Sequence, residues 1–204
     1  MNGKEKISKA GGEKKDGSGI ARLGLVLFSI TFVVALLLGV TNAMTKDRIA
    51  LAKEQTTADA MKLVQTNADA FTPVDAEIDN PVVASVSEAK KGSDVVGWCV
   101  KVAPKGFGGE IEMMVGISHD GAVTGVSIIS ISETPGLGSK ANDQLFLNQY
   151  ATKKGQLTVV KGAATGENDI LALTGATITS KAVTSGVQAA LDCVAKLQTE
   201  GVLK

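Results

Sequence analysis

The stretch "LTGATITSK", residues 173–181, places Thr174, Thr177, Thr179 and Ser180 just ahead of a strongly helical segment. Capping accounts for one hydroxyl at such a place, because a side-chain oxygen there accepts an N–H of the first helical turn. Thr179 or Ser180 is expected to fill that role for a helix at about 180–198. Capping gives no reason for Thr177 or for the Gly175-Ala176 pair before it. A helix N-terminus presents unpaired N–H groups and a partial positive charge, which suits a phosphate. Gly175 lets the backbone approach a ligand closely. The stretch therefore reads as a hydroxyl-rich anion site. It has neither GxGxxG nor GxxxxGK[ST], so a nucleotide fold of those kinds is not indicated.

Two glycine-rich stretches accompany it. In "SETPGLGSK" (132–140) the Pro135-Gly136 pair suits the centre of a type II turn, with Pro fixing φ and Gly supplying a positive one. The stretch is either a plain strand-to-helix connection or a backbone that approaches a flat or phosphorylated ligand, with Glu133 beside it. "KGFGG" (105–109) carries the same two readings, a hairpin loop or a close ligand approach. Other catalytic sets are missing. His119 is the single histidine, in an expected turn, and supports neither a triad nor a histidine metal site. Cys99 and Cys193 are far apart without a CxxC pattern, so they read as small hydrophobes rather than ligands of zinc or iron–sulfur.

These residues need a scaffold, and the chain of 204 residues supplies one domain plus appendages. Lys+Arg and Asp+Glu are both 21, which argues against nucleic acid as a partner. From Leu23 to Thr45 no side chain is charged, and a bilayer core of about 30 Å needs roughly 20 such residues. We read residues 1–22 as a basic tail and 23–45 as a single membrane helix. Lys4, Lys6, Lys9, Lys14, Lys15 and Arg22 precede it, against Lys46, Arg48 and Lys53 after it. This bias predicts an N-terminus in the cytoplasm and a C-terminal domain outside it, at the cell membrane. A signal peptide cleaved near "TNA" is the rival; its apolar region would be long for that role, so the uncleaved anchor is favoured.

The first 19 residues cannot bury a core and are expected to be disordered. Residues 46–64 read as a helical stalk and 66–81 as a linker broken by Pro73 and Pro81. The folded domain is expected over 82–204. In 94–103, Val96, Trp98, Val100 and Val102 alternate to one side, as do Ile111, Met113, Val115 and Ile117 in 110–118. The turn "HDG" (119–121) leads into 122–132, completing a three-strand antiparallel meander. A helix is expected at 140–151, a short strand at 156–160 and the final helix at 180–198. Val183, Val187, Ala190, Leu191, Val194 and Leu197 make its apolar stripe. Strands first and helices later give an α+β class: one N-terminal transmembrane helix, then a domain with an antiparallel sheet and flanking helices. Trp98, Phe107, Phe146 and Tyr150 either fill the core or pack on a ligand, and core packing is the favoured role for each.

"ETPGLG" (133–138) followed by "TGAT" (174–177), in this order behind one membrane helix, resembles the FMN-binding subunits of membrane redox complexes. These are the G subunit of the Rnf complex and the C subunit of the sodium-pumping NADH:quinone oxidoreductase. The compact length favours the former. The resemblance implies an electron-transfer subunit of a complex that couples electron flow between ferredoxin and NAD+ to ion translocation, with no turnover by itself. It implies FMN attached covalently, as a phosphoryl ester of Thr177, by a separate flavin transferase. Glu133, Thr134, Pro135, Gly136, Leu137 and Gly138 are then expected around the cofactor, with Leu173, Thr174, Gly175, Ala176, Ile178 and Thr179 from the second motif. Other membrane and redox subunits are the implied partners. A membrane-tethered flavin redox sensor is the alternative of another class. The family's longer signature places Asp three residues before the first Thr of the motif. Here Leu171 stands in that place, with Asp169 two residues earlier.

Overall fold

The computed structural model describes residues 17–203. The Lys-rich segment 1–16, expected to be disordered, lies outside the described residues. Residues 17–22, assigned to the tail from their sequence and expected to be disordered up to residue 19, are instead helical. Helix α1 runs Gly17–Val64 without a proline, so nothing in its interior removes a backbone donor. The chain divides into two compact units, Met1–Leu51 and Ala52–Lys204.

In the first unit the described residues are all helical, and apolar side chains from Leu23 to Met44 are exposed. This is the one helix among the described residues long and apolar enough to cross a membrane, with an 18-residue window of mean hydropathy 2.7. Its hydroxyl side chains from Ser29 to Thr45 donate to carbonyls of their own helix. Ser29 and Thr41 each donate at 2.8 Å to the carbonyl four residues earlier, as a segment without water requires.

The second unit is built on a five-stranded antiparallel meander: β1 (Ala70–Val74), β2 (Val83–Lys91), β3 (Asp94–Val102), β4 (Glu112–Ser118) and β5 (Val123–Ser130), in that spatial order. The expected three-strand meander is β3 to β5. Two strands are added on one side, and β1 lies within the segment expected as a linker. Pro73 does not break the chain there. It sits on the edge strand, where a missing N–H disturbs no ladder on its open side.

Both faces of the sheet are covered. On one, Trp98, Val100, Val102, Met113, Val115 and Ile117 pack with helix α3 (Thr177–Thr199). All six residues named for the apolar stripe of that helix lie in this core. On the other face Ala60 and Val64 of α1 pack with Ala89, Cys99 and Met114. The stalk thus ends as part of the domain. Thr124 donates to the Val64 carbonyl at 2.6 Å and Gln65, buried, donates to the Ile117 carbonyl at 2.8 Å. Gly116 is needed here, since a Cβ would stand 2.5 Å from the Val64 carbonyl oxygen.

Two further expectations are corrected. Val96 does not share a side with Trp98; it packs on the α1 face, because the register slips between Ala89 and Lys90 opposite it, and a bulge reverses the alternation. The segment 140–151 is not one helix. A 3-10 turn (Gly138–Asn142), the short helix α2 (Gln144–Leu147) and a second 3-10 turn (Asn148–Tyr150) follow one another. Asp143 between them is extended, with φ −73° and ψ 136°, and Asn-Asp is a pair that favours caps over helix interiors. The short strand is β6 (Thr158–Val160), and it pairs in parallel with an unforeseen β7 (Asp169–Leu171).

Candidate functional site

Three segments distant in sequence converge at one end of α3. The first is the hairpin loop of "KGFGG", closed by the Lys105–Glu110 bridge and by the Gly106 N–H donating to the Gly109 carbonyl at 2.7 Å. The second is the turn of "ETPGLG". Leu137 N–H donates to the Thr134 carbonyl at 3.2 Å and Gly136 has φ +76°, the type II turn that Pro-Gly predicts. The third is the turn Leu173–Ala176, where Ala176 N–H donates to the Leu173 carbonyl at 3.0 Å and Gly175 has φ +78°. Gly175 is glycine because that turn needs left-handed backbone.

Thr177 is the first residue of α3. Its predecessor Ala176 has φ −133° and ψ 45°, and no side chain caps the helix. The first-turn N–H groups have no partner inside a helix. Here they are left to face whatever approaches Thr177. This corrects the capping expectation. Thr179 instead donates from Oγ1 to Glu133 Oε2 at 2.9 Å. Ser180 donates to the Ala176 carbonyl at 3.0 Å and accepts the Leu173 N–H at 2.9 Å, which fastens the turn to the helix.

Glu133, 8% exposed, joins the three segments. Its Oε1 accepts the N–H groups of Phe107 at 2.7 Å and Gly108 at 3.1 Å, while Oε2 accepts Thr179. Above it opens a cavity of about 410 Å³, lined by Phe107, Glu133, Thr134, Leu137, Gly138, Gly175, Ala176, Thr177, Ile178 and Thr179. A second cavity of about 430 Å³ is lined by Lys161, Gly162, Leu171, Ala172, Leu173, Thr174, Gly175 and Thr177. Gly175 and Thr177 line both. The structure thus brings together the named candidates with two exceptions: Pro135 and Gly136 form the turn but line neither cavity.

One residue expected in the core belongs to this site. Phe107 is 70% exposed and stands at the rim with Leu137 and Ile178, also exposed. The signal available for it was an aromatic inside a glycine loop, where no strand or helix pattern assigns it to a core. Trp98, Phe146 and Tyr150 are buried in the core as expected, and Phe146 meets Tyr150 edge-on at 5.7 Å. His119 is exposed in its turn, stacked on Trp98.

Asp169 is engaged elsewhere. Its Oδ2 accepts the Gly166 N–H at 2.7 Å and the Thr165 N–H at 3.0 Å. Those bonds, Gly166 first, hold its carboxyl below the usual range. Leu171 is tied through its main chain to Gln149, which donates to its carbonyl and accepts its N–H. Its side chain lines the second cavity. Among the described residues no cluster of His, Cys, Asp or Glu could hold a metal ion.

Residues 106–192 match the FMN-binding domain family. The chain is 39% identical over 202 residues to the G subunit of the Na+-translocating ferredoxin:NAD+ oxidoreductase complex of Acetobacterium woodii, covering 92% of this chain and 94% of the relative. The chain belongs to the G-subunit family. A second member, the G subunit of the proton-translocating ferredoxin:NAD+ oxidoreductase complex of Clostridium ljungdahlii, is 36% identical, over 88% of this chain and 94% of its own. The G-subunit fold here is similar to that of the C subunit of the Na+-translocating NADH-quinone reductase from Parabacteroides distasonis, with TM-score 0.55 and 18% identity over 73% of this chain and 93% of the other. Apart from Lys105, the matched FMN-binding region contains the three converging segments, and the preference for the G-subunit family over its C-subunit relatives is borne out.

Proposed function

We propose that this G-subunit chain carries FMN as a phosphoryl ester of Thr177. It serves as an electron-transfer subunit of a membrane complex that couples electron flow between ferredoxin and NAD+ to ion translocation. The observation that carries the reading is Thr177, first residue of an uncapped helix, at the meeting of two cavities. Cavities of this size suit a cofactor, and the residues fit FMN in kind. Phe107, Leu137 and Ile178 offer an apolar rim for a flat ring. Thr174, Lys161 and the free N–H groups of α3 offer polar surroundings for a phosphate. The flavin, when bound, supplies the redox chemistry, and the protein positions it. Thr177 holds the phosphate, the helix N-terminus stabilises the remaining charge by about 0.3–1 kcal/mol, and the rim limits water at the ring.

The anchor helix holds the domain at the membrane. We place the basic N-terminus in the cytoplasm and the domain outside, where a flavin transferase installs the cofactor and other subunits of the complex exchange electrons with it. Glu133 and the two motif turns shape the site, with Thr179 held inward rather than offered to the cofactor. The test is a denaturing gel of the chain produced with its transferase. A fluorescent flavin band is expected, lost in Thr177→Val and kept in Thr179→Val. A bright Thr177→Val band refutes the attachment.

A further inference from the structure

Glu133 has more bonds than a connecting turn needs, and all three come from donors. Two are main-chain N–H groups of the Phe107 loop and one is the Thr179 hydroxyl of α3. A carboxylate is acceptor-only when ionised, so three donors aimed at its two oxygens match the charged form. Two glycines are shaped to it. A Cβ on Gly106 would run into Oε1, and one on Gly138 would stand 2.6 Å from Oε2. The glycines of both loops therefore accommodate this side chain. Three of its roughly four acceptor sites are taken within the chain, which leaves chiefly the rim residues and Thr177 for a ligand.

We propose that Glu133 is a positioning residue: a buried carboxylate clasp that holds Phe107 over the flavin cavity against α3, and whose negative charge lowers the potential of a flavin bound there. This rests on the flavin reading above. An electron taken up by the ring without a proton adds negative charge, and a carboxylate in a poorly screened setting opposes it. The clasp itself is independent of the cofactor, because every bond in it lies within the chain.

The test has two arms, both on the full chain in detergent. In the Thr177→Val background, which has no esterified flavin, hydrogen exchange of the Phe107 and Gly108 amides is compared for Glu133, Glu133→Gln and Glu133→Ala. Glutamine keeps an oxygen for both amides and an NH2 for Thr179, so exchange is expected within about twofold of the parent; alanine is expected to raise it about tenfold or more. Should Glu133→Ala not fold, Thr179→Val, which removes one of the three donors, is expected to raise exchange by less than that. Parent-like exchange in the folded alanine chain, or in Thr179→Val where alanine does not fold, overturns the clasp. With Thr177 intact, the flavin midpoint potential is measured in Glu133→Gln. A rise is expected, and an unchanged or lower potential overturns the charge effect. A parent chain without covalent flavin removes the cofactor reading, and the charge effect with it, while the exchange arm still decides the clasp.

Discussion

Gly138→Ala tests the crowding beneath the cavity. Its Cβ would lie 2.6 Å from Glu133 Oε2, 2.7 Å from Thr179 Oγ1 and 2.8 Å from Glu133 Cβ. None of these atoms is free to swing away, because Oε2 is held by Thr179 and Oε1 by two amides. Relief requires moving the carboxylate off its donors. Overpacking costs about 1–3 kcal/mol, and losing a hydrogen bond to a charged group about 1.5–3 kcal/mol. The two describe one displacement and do not add, so a loss of about 2–3 kcal/mol is expected. Trp98, the single tryptophan and fully buried, reports unfolding in urea. Gly136→Ala is the control. It has open space around its Cβ but φ +76°, so it costs about 1 kcal/mol or more through the backbone alone. Only Gly138→Ala should also speed exchange of the Phe107 and Gly108 amides. Wild-type stability and unchanged exchange in Gly138→Ala would refute the argument that the carboxylate is pinned.

Other expectations follow from the core. Gly116→Ala should destabilise the domain by about 1–3 kcal/mol, since its Cβ meets the Val64 carbonyl at 2.5 Å; faster exchange at Gln65 would accompany it, read by mass spectrometry. Tyr150→Phe removes the buried bond between the Tyr150 and Thr184 hydroxyls at 2.8 Å and should cost about 0.5–1.5 kcal/mol in the same urea titration. Burial pushes the Cys99 thiol from 9.0 up to about 12. Between those values the unfolded chain has lost the proton and the folded chain keeps it. Stability should therefore be unaffected below about pH 9 and fall above it, by at most about 1.4 kcal/mol per pH unit from this group, as melting temperatures from pH 8 to 10.5 will show. At neutral pH a maleimide should label half-buried Cys193 and reach Cys99 only after denaturation.

What is legible in the sequence is what local periodicity encodes. Ile111, Met113, Val115 and Ile117 alternate without interruption and all reach the core. The apolar stripe of α3 repeats at helical spacing and does the same. Pro135-Gly136 specifies its turn from two residues alone. Strands β1 and β2 are not legible, because an edge position carrying Pro73 and a run ending "SEAKK" show no clean alternation. β7 is three residues long and is stabilised by its partner rather than by its own pattern. Val96 departs from its expected side for a similar reason: the bulge that turns it arises from pairing with another strand.

The site divides along the same line. Thr177, Gly175 and the turn before α3 can be found locally, since a helix start and a positive-φ glycine are local events. The partners of Glu133 cannot, because they lie 25, 26 and 46 residues away. That separation also explains why the glycines of "KGFGG" and "ETPGLG" look like a ligand-approach signature. A glycine marks that something comes close to the backbone, and sequence alone does not say whether the visitor is a ligand or another part of the chain. At Gly106 and Gly138 it is the carboxylate of Glu133. At Gly175 it is the turn itself, with Leu137 packed 3.1 Å from where a Cβ would be. The "ETPGLG" turn and the first turn of α3 are thus coupled through the side chain of Glu133 before any cofactor is considered. Removing Glu133 from the one or the Thr179 hydroxyl from the other should therefore disturb Phe107, which belongs to neither.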